Sequence, residues 1–107
     1  MKLLLASLLA LAALQAVPAK RTFAGTISDS MCANDHAPMR MGPTDAECTK
    51  ACIDEHGATY VLVDRKDVYA LSDQRTPEKF AGNKVTVRGT LDAKTRTIHV
   101  ESIAASK

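Results

Sequence analysis

Hydrophobic and polar positions along the chain fall into three regimes. Leu3 to Leu14 is an apolar run broken only by Ser7, with Lys2 before it and Gln15-Ala16-Val17-Pro18-Ala19 after it. That order of basic, apolar and small-residue stretches is the pattern of an export leader, with cleavage expected after Ala19. A membrane span needs roughly 20 apolar residues, and this run is shorter. The reading is therefore a leader at 1–19 and a single domain at 20–107, periplasmic or secreted, with no membrane insertion once the leader is gone.

Beyond the leader, alternation marks the strands. Thr22 to Asp29 places Phe23, Gly25 and Ile27 on one side, the period-2 pattern of a half-buried strand. Thr59 to Val63 and Val68 to Leu71 are rich in strand-forming residues and flank the polar Asp64-Arg65-Lys66-Asp67, which predicts a hairpin. Lys84 to Leu91 alternates with Val85, Val87, Gly89 and Leu91 inward. Thr97 to Ile103 follows a polar turn at 92–96, with Ile98 and Val100 inward and His99 outward.

Between the first two strands the alternation stops. Ser30 to Pro43 reads as a loop, and Thr44-Asp45-Ala46-Glu47 as a capping box that opens a helix, with Gly57 placed to end it. Thr76-Pro77-Glu78-Lys79 predicts a short helix between strands three and four, with Thr76 as cap and Pro77 at the first helical position. The expected fold is mostly β: a small five-stranded OB-like barrel with a loop–helix insertion after strand 1. A half-open sandwich or roll is the alternative, and periodicity does not separate the two.

Composition narrows the functional classes. Removing the first nineteen residues leaves 88 and takes the net charge from +2 to +1. So weak a charge gives no electrostatic footprint for nucleic acid or an anionic membrane. Without Trp, and with only Phe23, Phe80, Tyr60 and Tyr69, the chain is also poor in stacking surfaces for bases. A domain of this size has a marginal core, which a disulfide, a metal or an oligomeric contact would reinforce.

The candidate chemistry is concentrated. Of three Cys, three Met and three His beyond the leader, eight lie between Met31 and His56 and only His99 lies outside. The order Cys32-x3-His36-x11-Cys48-x3-Cys52 supplies three thiolates and an imidazole, a tetrahedral zinc set. Cys48 and Cys52 stand one turn apart on the expected helix and share a face, and the preceding loop would bring Cys32 and His36 over it. Met31, Met39, Met41 and His56 are additional soft donors. Thioethers with thiolates favour copper(I), the second choice of metal after zinc. The blander expectations are packing of Met39 and Met41 over the helix, Met31 turned into the core, and His56 matched to the helix C-terminus.

An oxidising compartment offers the alternative of a disulfide. Cys48 and Cys52 would have Cβ atoms about 5–6 Å apart, too far for a bridge within a regular helix. Cys32 could pair with either of them, which leaves one thiol over. A non-catalytic cell-envelope interaction module stapled by Cys32 is thus a second reading, and a thiol-redox protein a third. C-x-x-C-H for haem and C-x-x-C of the thioredoxin type are both absent. Asp29, Asp35, Asp45 and Asp54 lack the spacing of a calcium loop, and Asp29-Ser30 reads as the turn out of strand one. No Ser/His/Asp set and no pair of carboxylates stands out, so the sequence offers no catalytic residues.

Ile27-Ser28-Asp29-Ser30-Met31-Cys32, Glu47-Cys48-Thr49-Lys50-Ala51-Cys52, Tyr60-Val61-Leu62-Val63, Val68-Tyr69-Ala70-Leu71-Ser72 and the run from Phe80 to Leu91 together resemble an uncharacterised family of small exported bacterial domains. The resemblance covers almost the whole domain and implies an exported, OB-like unit with Cys32, His36, Cys48 and Cys52 as its motif positions. It implies no reaction, cofactor or partner. Many members carry Gly after the first Cys, where this chain has Ala33.

Overall fold

The strands appear where alternation places them. In the computed structural model, which describes residues 19–106, β1 is Lys20–Asp29, α1 is Asp45–His56, β2 is Tyr60–Asp64, β3 is Asp67–Leu71, β4 is Lys84–Asp92 and β5 is Thr97–Ala105. Except for Ala19, the segment read as a leader lies outside the described residues. No described helix is long and apolar enough to cross a membrane.

One mostly antiparallel sheet holds all five strands. β1 pairs with both β2 and β4, β4 with β5, and β2 with β3. A short parallel contact of β3 with β5, Ala70 with Thr97 and Leu71 with Ile98, completes a closed cycle of pairings. Because side chains alternate across a strand, the inward positions converge. Phe23, Ile27, Leu62, Leu71, Val85, Val87 and Ile98 are all buried there. Gly89, expected inward, sits at a bulge where β4 and β5 shift register. A β-carbon on it would run into the His99 carbonyl, so the close strand approach requires glycine.

The helices follow their expected signals with two differences of detail. Thr44 caps α1: its hydroxyl accepts the Glu47 amide and donates to the Glu47 carboxylate. Gly57 ends the helix at φ +69, and the Ala58 amide reaches back to the Cys52 carbonyl, a left-handed C-terminal stop that glycine takes without strain. The helix between β3 and β4 is a 3-10 turn at Thr76–Phe80. Thr76 is its first residue rather than its cap, and Pro77 its second. Arg75 holds the cap position without a side-chain bond, and Asp73 sets the turn that leads into it, its Oδ1 accepting the Arg75 and Thr76 amides. The loop before α1 also contains a 3-10 turn at Ala37–Met39 that alternation does not reveal, begun by His36 and carrying Pro38 in its first turn.

Candidate metal centre

β1 ends on two buried polar residues, Ser28 and Asp29, and the chain then turns sharply. Asp29 Oδ2 accepts the amides of Met31 (3.1 Å) and Cys32 (2.9 Å), an aspartate turn that competes well with continued strand. The Ala33 amide closes the same turn on the Asp29 carbonyl at 2.8 Å. Ala33 takes φ +50, a conformation that crowds any β-carbon. The turn brings Cys32 and then His36 back beside α1, whose buried face carries Cys48, Thr49 and Cys52.

Cys32, His36 and Cys48 offer ligand atoms within 4.8 Å of one another, and so do Asp29, Cys32 and Cys52. Donors on one tetrahedral zinc lie about 3.3–3.8 Å apart, so each group needs a closure of only about 1 Å. All four residues expected as ligands are therefore brought together, in two groups that meet at Cys32. Cys48 and Cys52 fall in different groups.

His36 is held in a definite state. The Ser28 hydroxyl donates its only hydrogen to the Ala33 carbonyl, at 2.6 Å. At its 3.1 Å contact with His36 Nε2 it must therefore accept, so Nε2 carries the hydrogen and, in the neutral ring, Nδ1 has the lone pair. A polar partner on one ring nitrogen that frees the other is the usual way a metal-binding histidine is oriented. Nδ1 is buried without a hydrogen-bond partner, and so is Asp29 Oδ1. These two acceptors lie 3.7 Å apart. Unpaired buried polar atoms are rare and costly, and a cation among the thiols and the imidazole would satisfy Nδ1. The donor set fits a soft metal.

The thiols bear on the alternatives. All three cysteines are free, Cys48 and Cys52 buried and Cys32 half-exposed. Burial, and then the negative charge of Asp29, raises the Cys32 thiol and pushes Cys52 up to about 12. Such thiols are protonated and poor nucleophiles at neutral pH, which weighs against redox catalysis. Cys48 Sγ points its hydrogen to the Met39 carbonyl at 3.6 Å.

The other soft donors separate. Met41 packs its sulfur 3.8 Å from Cys52 Sγ. Met31, expected in the core, is instead 47% exposed, because the turn anchored by Asp29 directs it outward, and Met39 is exposed as well. His56 is exposed in the last turn of α1, and His99 is exposed on β5; neither joins a ligand group among the described residues. Two site residues escape the sequence pattern. Ser28 looks like an ordinary strand residue, and Asp29 reads as a turn former, which it is through Oδ2. Only the second oxygen, left over in a buried place, shows its other capacity.

The family described as "Protein of unknown function (DUF5818)" matches residues 52–106, just over half the chain. The matched span runs from the last turn of α1 through β5 and contains one of the four expected ligands, Cys52. No curated protein and no solved structure matches the chain.

Proposed function

The chain belongs to the DUF5818 family of unknown function, and from its own residues we propose an exported, OB-like domain whose loop–helix insertion binds a soft metal ion through Cys32, His36, Cys48 and Cys52. The OB-like reading draws on the cyclic strand order β1-β2-β3-β5-β4, with a short helix between β3 and β4 and the insertion between β1 and β2. In that architecture the first loop forms part of the ligand-binding rim. The domain is residues 20–107, and export rests on the basic, apolar and small-residue order of residues 1–19.

The observation that carries the metal reading is the grouping of Cys32, His36 and Cys48 within 4.8 Å, and His36 Nδ1 is buried without a hydrogen-bond partner. Three thiolates and an imidazole favour zinc. The Met41 sulfur beside Cys52 keeps copper(I) as the alternative. The role is to pin the insertion onto a small barrel, or to carry metal if the site exchanges it. Metal uptake must displace protons from thiols held high, so affinity rises with pH.

Intact mass of the exported protein, under native and then denaturing conditions, tests both parts. A chain starting at Lys20, with a metal adduct lost on denaturation and three free thiols, is the expected result. A metal-free mass two hydrogens short would replace this reading with the disulfide-stapled interaction module. A retained leader would refute export.

A further inference from the structure

The metal reading leaves Asp29 unexplained. Its side chain is fully buried, one oxygen is committed to the turn and the other has no partner. The carboxyl group in that position lies beside the Cys32 and Cys52 thiols. It is grouped with Cys32 and Cys52, and its free oxygen also lies 3.7 Å from His36 Nδ1.

Resting on the metal reading above, we propose that the site holds two divalent ions bridged by the Cys32 thiolate, one bound by His36 and Cys48 and the other by Asp29 and Cys52. Three features support a pair. The two donor groups share only Cys32, and a thiolate sulfur has lone pairs enough for two metals. Cys48 and Cys52 leave α1 one turn apart and fall in separate groups, so each can serve its own ion.

Charge gives the third. Three thiolates and one carboxylate carry four negative charges, and two divalent ions balance them. A single divalent ion would leave two negative charges among side chains of which Asp29, Cys48 and Cys52 are fully buried, a costly state for a desolvated site. Each ion then has three protein donors and room for water or another ligand. Met41 Sδ lies near enough to Cys52 to crowd the second position. The second ion, with mixed carboxylate and thiolate donors, would be the weaker and more exchangeable of the two.

The test is zinc stoichiometry by native mass spectrometry on the chain purified from expressing cells, beside Asp29→Asn and Cys52→Ser. Asparagine keeps an oxygen for the Met31 and Cys32 amides while removing the charge. Circular dichroism confirms that each variant is folded, and Cys52→Ser serves if Asp29→Asn is not. The expected result is two zinc ions in the parent and one in either variant. One zinc in the parent overturns the pair and leaves the single-metal reading standing. Two zinc ions in parent and variants alike make the second an adventitious ion only and overturn the pair as well. No bound metal in the parent removes both readings.

Discussion

Ala33 provides the sharpest test of how the cysteine turn is built. Its φ of +50 places an L residue where backbone and β-carbon crowd, at a cost of about 1–2 kcal/mol. Glycine takes that angle freely. The substitution Ala33→Gly also loosens the unfolded chain, which offsets the gain by about 0.4–1 kcal/mol. The half-exposed methyl has little packing to lose. The net expectation is stabilisation by about 0.5–1 kcal/mol, contrary to the usual effect of adding glycine. For a domain of this size that is a rise in midpoint of about 2–6 °C. Thermal denaturation followed by circular dichroism measures it, in chelator so that bound metal does not add its own stabilisation. The Ala33 carbonyl and amide keep their bonds to Ser28 and Asp29 in the variant, so zinc affinity should hold or increase. A lower midpoint in chelator would refute the reasoning, since it would mean that the turn gains more from the methyl group than it loses to the backbone angle.

Other substitutions probe separate links. Ser28→Ala removes the acceptor that orients His36 and should weaken zinc binding about 10–100-fold in competition with a chromophoric chelator; unchanged affinity would discard the assigned tautomer. His36→Ala should lower the midpoint in zinc and much less in chelator, and an equal loss in both media would mean that the imidazole serves packing alone. Gly89→Ala drives a β-carbon into the His99 carbonyl and against Ile98 and should cost about 1–3 kcal/mol or more by urea denaturation; a neutral result would contradict the close approach of β4 and β5. Asp73→Ala removes the acceptor of the Arg75 and Thr76 amides at an expected cost of about 1 kcal/mol at neutral pH. Bonds from the Thr76 hydroxyl and amide hold the Asp73 carboxyl below its usual range, so its contribution is present above about pH 4 and lost as pH falls through the lowered pKa. Urea midpoints of parent and variant should therefore converge in acid, and a gap that persists there would show that Asp73 acts other than through its charge.

Strand positions were legible in the sequence because each strand has one face in the core: Phe23 and Ile27, Val85 and Val87, and Ile98 all lie where alternation puts them. The stop at Gly57 and the cap at Thr44 were legible because they are local backbone chemistry. The turn set by Asp73 was not, because Thr-Pro-Glu carries a stronger local signal than an aspartate three residues ahead of it.

The sequence by itself determined the five strands, the helix and the confinement of soft donors to one insertion, since these follow from periodicity, capping and residue type within short windows. Tertiary structure alone decided the rest. Whether the sheet closes depends on β3 meeting β5 across a gap of more than twenty residues. Whether Cys32 faces Cys48 or Cys52 depends on a turn whose angle no window encodes, and it meets both. Asp29 and Ser28 became site residues only when the fold buried them beside His36, because a polar atom's need for a partner is set by what surrounds it in space.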